Sequence, residues 1–293
     1  MTDRWLVLEV LSPSAEQVAS LSEGLIALGA TAVVEEGDRL STWLPAPADN
    51  AAFVAWARQR LEAAAGNAIE VRWSIRAGED WDEVWRRGLE ARRVSERLIV
   101  TPTWIEPDTH AGDIVLRIDP QMAFGTGEHA STRGALRLIE ATMAPGARVL
   151  DVGTGSAILS IAAALLGAEH VDAVDCDAGA LPNARENVER HACADRIALQ
   201  EAFVDLDYLA GSAAAAGPYD LIVANVMSGV LIPLQTGFRS ALRPTGALIL
   251  AGILTREAEC VVESAAGANL RLVNEVRDED WWAGAFSVTA LPR

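Results

Sequence analysis

The chain has 293 residues and a formal net charge of −17, with 24 basic residues against 41 acidic ones. That length leaves room for one large domain and a small one, and the acidic balance argues against free nucleic acid as a partner, because phosphate binding needs clustered Lys and Arg. No apolar run reaches the roughly 18 to 20 residues of a membrane span, and Met1-Thr-Asp-Arg-Trp5 has no apolar signal core, so a cytoplasmic location is expected.

Cys176, Cys193 and Cys260 have no metal-like spacing and are odd in number, so buried, reduced thiols and no metal site are expected. All the basic residues are arginine. Arg- and Ala-rich codon usage accounts for that. A sharper alternative is that an enzyme acting on lysine gains by offering none of its own.

The first 75 residues read as two similar halves. Residues 5–11 are strand-like, and 15–28 carry Val18, Leu21, Leu25 and Ile26 at helical spacing. Residues 31–35 and 40–44 are short strands across the turn signal Glu36-Gly37-Asp38. Asn50 is a candidate cap for a helix to about residue 65, and 69–75 alternates as a strand. The order β-α-β-β-α-β is that of a ferredoxin-like α+β domain, given to residues 1–77. Residues 78–97 read as a helical linker, with Trp81 and Trp85 one turn apart on a packing face.

The remainder, 98–293, begins with strands at 98–101 and 113–118. Strands are then expected near 148–152, 171–175, 197–200, 219–224 and 247–252, with helices near 157–167, 178–191, 229–242 and 255–266. Such alternation makes an α/β domain whose mostly parallel sheet is covered on both faces. Residues 213–216, four alanines, read as a surface loop. The tail has strand patterns at 270–277 and 285–291 with no helix between, hence an antiparallel pair. A parallel sheet ending in such a pair is the seven-stranded, Rossmann-like arrangement of methyltransferases, not the six-stranded dinucleotide one.

The run Val149-Leu-Asp-Val-Gly-Thr-Gly-Ser-Ala157 sits where a strand turns into a helix, and Gly153 and Gly155 let backbone approach a ligand there. Asp151 ends that strand and Asp175 the next. A pyrophosphate at this turn would be repelled by a carboxylate, whereas S-adenosylmethionine is cationic and carries no phosphate. Asp175 then suits a ribose diol, with Asp177 as a second acid more apt to cap a helix. Ala157 stands where a third glycine often sits, at a position read as serving helix packing. Asn225 ends the strand at 219–225, on the edge where ligands sit, and its amide can donate and accept beside the cofactor or the incoming nucleophile. Asn225 is therefore the candidate catalytic residue as well as a cofactor contact.

A second glycine-rich loop runs Phe124-Gly-Thr-Gly-Glu-His-Ala-Ser-Thr132. Phe124 is placed to stack on the adenine or wall off the sulfonium, and Thr132 to cap the helix expected at 133–141 or to bond the ligand. His129 is read chiefly as a structural hydrogen-bonding group, with a role as base the alternative.

Asp119-Pro-Gln-Met-Ala-Phe-Gly-Thr-Gly-Glu-His129 resembles the signature of the bacterial methyltransferases of ribosomal protein L11. Trp81-Asp-Glu-Val-Trp85, Arg93-Val-Ser-Glu-Arg-Leu98, Val174-Asp-Cys-Asp177 and Gly252-Ile-Leu254 extend the resemblance over most of the chain. It implies an N-terminal substrate-recognition domain, a flexible helical linker and a catalytic domain. It also implies transfer of methyl groups from S-adenosylmethionine to lysine side chains and the N-terminal amine of L11, free or on the ribosome. The family's cofactor contacts match Thr132, Gly153, Asp175 and Asn225; Phe124 and Gly155 are added from the residues themselves. Glu128 and Ala130 replace the usual Thr and Pro of the loop, Ser95 a glycine of the linker and Ala157 a glycine of the strand motif. A monomer without a membrane or direct nucleic-acid partner is expected. The rival readings are a methyltransferase for another protein or small amine, a nicotinamide-dependent oxidoreductase, and a non-catalytic binding module.

Overall fold

The computed structural model describes residues 4–11, 15–28, 30, 33–36, 39–77, 90–118 and 129–289. The chain forms two compact units, Met1–Gly88 and Leu89–Arg293.

In the first unit, β1 (Arg4–Leu11), α1 (Ala15–Ala27), β2 (Val34–Glu36), β3 (Arg39–Pro45), α2 (Asn50–Ala65) and β4 (Glu70–Ala77) follow one another. The four strands make a sheet in the order β2-β3-β1-β4, and every pairing is antiparallel. Alternation along β1 sends Leu6, Leu8 and Val10 to one face, where all three are fully buried. They pack with Leu21, Leu25, Ala57 and Leu61 of the two helices. The cap of α2 is Asp49, whose side chain accepts from Ala52 N at 3.0 Å. Asn50, the expected cap, is the first helical residue, because the aspartate one position earlier keeps extended backbone and reaches the free amide.

The expected linker helix with Trp81 and Trp85 lies outside the described residues. Arg92 and Arg93, within the same span, form β5 (Arg92–Arg93) and pair with β6 (Leu98–Pro102). Strand β6 in turn runs parallel to β7 (Ile114–Ile118) in a three-stranded sheet.

Next come α3 (Ala130–Thr142), β8 (Arg148–Val152), α4 (Ile158–Leu165), β9 (His170–Asp175), α5 (Leu181–Arg190) and β10 (Ile197–Glu201). They are followed by α6 (Leu206–Ala216), β11 (Tyr219–Asn225), α7 (Ser228–Ala241), β12 (Leu242–Leu254), α8 (Ala258–Gly267), β13 (Leu270–Asp278) and β14 (Trp281–Val288). The sheet has seven strands in the order β10-β9-β8-β11-β12-β14-β13. Strands β8 to β12 are parallel, and β14 is antiparallel to both neighbours. From β8 the chain winds outward through β9 and β10, then returns to β11 on the other side. This reversal opens a crevice at the carboxyl ends of β8 and β11.

Apolar residues fill both sheet faces. One core joins Val149, Val171, Val223 and Ile249 to α3, α4 and α5; the other joins Leu150, Val174, Ile222 and Leu250 to α6, α7 and α8.

The four alanines at 213–216 belong to helix α6, not to a loop. Alanine is the strongest helix former, and Asp205 caps the helix by accepting from Tyr208 N at 2.7 Å. Gly237 of α7 lets α6 pack closely, since a Cβ there would lie 2.7 Å from both Leu206 Cδ2 and Leu209 Cδ1. Of the three cysteines, all free, only Cys193 is buried; Cys176 and Cys260 are exposed, against the expectation of buried thiols. Among the described residues no helix is long and apolar enough to cross a membrane.

Candidate active site

The crevice begins at the β8–α4 turn. Gly153 N and Thr154 N both donate to Val174 O, at 2.8 and 3.0 Å, which ties the turn to the neighbouring strand. Gly153 has φ +72°, and a Cβ on it would lie 2.6 Å from Val226 Cγ1, so no side chain fits. Gly155 has φ +52° and donates its N–H to Asp175 Oδ2 at 2.8 Å. Ala157, at φ +66°, is the last residue before α4. The position therefore serves a left-handed turn and not chiefly packing, and an alanine there carries local strain that glycine avoids.

Asp175, at the end of β9, binds two backbone amides: Oδ2 accepts from Gly155 and Oδ1 from Asp177 N at 2.9 Å. A carboxylate has about four lone-pair directions, so each oxygen keeps a free one. Asp177 does not cap α5; its Oδ1 accepts from Gly179 N at 2.8 Å in a local turn, and the residue before α5 is Ala180. Beside Asp175 lies an apolar cleft of about 70 Å³, walled by Val174, Cys176, Phe203, Val226 and Val230. Phe203 and Val230 had no sequence signal beyond being apolar residues just after strands β10 and β11.

Asp151 is buried, and its Oδ2 accepts from Ser160 Oγ at 2.6 Å and Thr154 Oγ1 at 2.8 Å. Its other oxygen is buried with no hydrogen-bond partner. Burial pushes the carboxyl up to about 6, against the lowering effect of the two hydroxyls. Ser160 was legible only as the one polar residue of the helix Ile-Leu-Ser-Ile-Ala-Ala-Ala-Leu. A carboxyl raised on folding stabilises the protein below its unfolded pKa of about 4 and loses that contribution as pH rises through 6. Without ligand, the wild type should lose about 1–2 kcal/mol from this group between pH 5 and 7.5. Unfolding measured across that range should show a shallower fall in Asp151→Asn. Parallel wild-type and variant curves would contradict this.

Asn225 ends β11 and directs its Nδ2 toward Thr132 Oγ1, 3.4 Å away. Its Oδ1 is buried with no partner. Gly252 makes room for it: at φ +78°, a Cβ there would crowd Asn225 Oδ1 at 3.0 Å and Val226 N at 2.9 Å. Thr132 lies in the first turn of α3, which starts at Ala130, three residues earlier than expected; His129 is the cap. His129 Nδ1 accepts from Ser131 N at 3.3 Å and lies 2.7 Å from Ser131 Oγ. Burial lowers the imidazole pKa, with the Arg133 charge adding to the effect. His129 is thus a structural cap.

The structure brings Gly153, Gly155 and Asp175 together by hydrogen bonds, and Thr132 to Asn225. Phe124 lies outside the described residues, as does the rest of the loop from 119 to 128.

A parallel sheet closed by an antiparallel hairpin, with a bare glycine turn, an acid and an amide at its reversal point, defines an enzyme of the methyltransferase class. More particularly, the chain belongs to the family described as ribosomal protein L11 methyltransferase (PrmA), whose model matches residues 11–288. It is 36% identical over 259 residues to a ribosomal protein L11 methyltransferase of Symbiobacterium thermophilum, across 85% of this chain and 80% of that one. It is 37% identical over 250 residues to the protein so named in Chloroflexus aurantiacus, across 77% and 76%. A solved structure, the ribosomal protein L11 methylase from Lactobacillus delbrueckii subsp. bulgaricus, is 31% identical with a TM-score of 0.61, across 68% of this chain and 99% of that one.

Proposed function

We propose that the protein transfers methyl groups from S-adenosylmethionine to lysine side-chain and N-terminal amines of ribosomal protein L11. The observation that carries the reading is the buried, unpartnered Oδ1 of Asn225 beside the bare Gly153 turn. An unsatisfied buried acceptor costs roughly 1–3 kcal/mol, and a donor on a bound ligand removes that cost. The residues fit the group. Asp175 has spare acceptor directions for a ribose diol, the apolar side chains of the small cleft beside it suit contact with one edge or face of an adenine, and Asp151 adds a carboxyl that tolerates a cation and would repel a pyrophosphate.

When bound, S-adenosylmethionine would supply an electrophilic methyl carbon open to in-line attack by a neutral amine, the carbon–sulfur bond breaking so that the sulfonium leaves as the neutral thioether S-adenosylhomocysteine. In this reading Gly153, Gly155, Asp175, Thr132 and Asn225 hold the cofactor, and Phe124 is assigned to stack on its adenine or wall off its sulfonium. Asn225, whose amide can both accept and donate, also orients the incoming amine. Alignment of the two reactants supplies much of the rate. A lysine has an ordinary pKa of about 10.4 and must lose its proton first, which an apolar entrance favours by desolvation.

Residues 1–77 are proposed as a ferredoxin-like substrate-recognition domain, 78–97 as a helical linker and 98–293 as a seven-stranded, Rossmann-like catalytic domain. The net charge of −17 would steer a basic ribosomal protein inward. The enzyme acts in the cytoplasm as a monomer.

Incubation with methyl-labelled S-adenosylmethionine and ribosomes or free L11 lacking the modification tests the proposal. Label should appear on L11; label on a different protein, or on none, overturns it. Asn225→Ala should lower turnover at least about 100-fold, the cost of losing an orienting hydrogen-bonding group, while keeping the thermal transition near that of wild type. Full activity in this variant would remove Asn225 from the chemistry.

A further inference from the structure

The terminal hairpin builds a wall beyond Asn225 from residues that the proposed cofactor contacts leave out. Strand β12 runs on past Ala251, the register partner of Asn225, to Leu254, which pairs with Trp281. The β13–β14 hairpin therefore rises above the carboxyl edge of the sheet, with Trp281 at its rim. Its turn is fixed from below, since Thr255 N donates to Asp280 O at 2.8 Å.

Alternation along β14 buries Trp282 in the core and turns Trp281 toward α3. Helix α3 can lie close there because Gly134 and Ala283 are both small; a Cβ on Gly134 would be 3.1 Å from that of Ala283. This brings the His129 ring onto the Trp281 indole, edge to face, with centroids 4.5 Å apart. From Trp281 a chain of contacts leads through His129 and the buried Thr132, whose N–H donates to His129 O at 3.0 Å, to Asn225.

The indole keeps part of its surface open to solvent. Next to it Asp280 is exposed, while the Glu279 side chain, 70% exposed, is ion-paired to Arg133 at 2.9 Å, so among the described residues Asp280 is the unpaired carboxylate at the mouth of the wall. Glu279 holds φ +55°, a left-handed conformation that costs a non-glycine residue energy. Burial lowers the His129 pKa, and the neighbouring Arg133 guanidinium is taken up by Asp278 and Glu279.

We propose that Trp281 is the specificity-determining wall for the acceptor, lying along the chain of a lysine and facing its ammonium or methylammonium head, with Asp280 drawing the cation in. This rests on the methyl-transfer reading of the Asn225 site. An indole face attracts alkylammonium heads, methylated ones included. Its flat apolar surface strips water from the amine, and the Asp280 carboxylate, within the net field of −17, supplies the long-range attraction.

The test has two arms. In the first, Trp281→Ala should methylate L11 at least tenfold more slowly, bind S-adenosylmethionine within twofold of wild type and keep its thermal transition. Trp281→Phe, which restores a ring, should recover most of the rate. Turnover equal to wild type in Trp281→Ala, or loss of cofactor affinity in step with rate, overturns the proposal. In the second arm L11 is absent. The indole N–H resonance missing from Trp281→Phe is followed while n-butylammonium is titrated into wild type holding S-adenosylhomocysteine. A saturable shift of that resonance supports the proposal, and a shift confined to other tryptophans or to none overturns it. Wild type that leaves L11 unlabelled yet shows the shift rejects L11 as substrate and keeps the wall.

Discussion

Asp175→Ala should weaken S-adenosylmethionine binding by two orders of magnitude or more. Two hydrogen bonds from a ribose diol to a carboxylate contribute about 1.5–3 kcal/mol each, and each 1.4 kcal/mol is about tenfold in affinity. The carboxylate also holds Gly155 N and Asp177 N at 2.8 and 2.9 Å, so its removal loosens the turn that the ligand approaches. Asp177 is exposed and its amide regains water, while the amide of the buried Gly155 loses its partner, so the fold should lose about 1–3 kcal/mol. Asp175→Asn keeps one acceptor oxygen and sets an N–H donor against a backbone N–H; it should fall between wild type and alanine. Calorimetric titration with the cofactor and with S-adenosylhomocysteine measures the affinity, and thermal unfolding measures the fold. An alanine variant that unfolds earlier but binds normally would make Asp175 a tether of the loop and nothing more.

The dual engagement of Asp175 shows where sequence stops being legible. That an acid at the end of β9 faces the glycine turn follows from spacing, because strand, turn and helix lengths are set by local periodicity. That both its oxygens already hold amides depends on the β8–β9 register and on Gly153 turning back under Val174, which spacing does not encode. Most strands and helices of the second unit were legible for the same reason, each carrying an apolar pattern, but β5 was not, and the last strand, expected at 285–291, runs Trp281–Val288. The alanines of α6 carry none, since alanine suits a helix or a loop equally by hydropathy, and the deciding residue was the Asp205 cap. Asp49 and His129 displaced Asn50 and Thr132 as caps through one- to three-residue shifts at helix starts, where boundaries are least defined. Ala157 was read as a packing position, and its left-handed backbone became visible only with coordinates. The acceptor wall was the least legible part, because Trp281 and His129 meet only once the terminal hairpin has folded against α3.

The joint between hairpin and helix gives the second large effect. Arg133→Met should lower the stability of the second unit by about 3–5 kcal/mol, the cost of removing one partner from a buried ion pair. Arg133 is buried, with Nε 2.8 Å from Asp278 Oδ2 and Nη2 2.9 Å from Asp278 Oδ1, a two-pronged pairing extended to Glu279 Oε1 at 2.9 Å. Without it Asp278 keeps only Arg137, at 3.2 Å. For a unit of this size the transition should fall by roughly 10 °C.

Acid behaviour provides a second check. The Arg133 hydrogen bond is the main cause that holds the Asp278 carboxyl below its ordinary value. A depressed carboxyl stabilises above its unfolded pKa of about 3.9 and loses that contribution as pH falls through the folded value. Wild type should therefore shed stability below about pH 4 more steeply than Arg133→Met does. Adding Asp278→Asn should restore part of the loss, because it removes the stranded charge. A double variant no more stable than Arg133→Met would assign the loss to packing along the arginine stem. Because α3 carries Thr132 and His129 while the hairpin carries Trp281, loosening this joint should slow turnover at temperatures where the fold is still intact. Equal turnover there, with the transition lowered, would mean the site keeps its shape without the arginine.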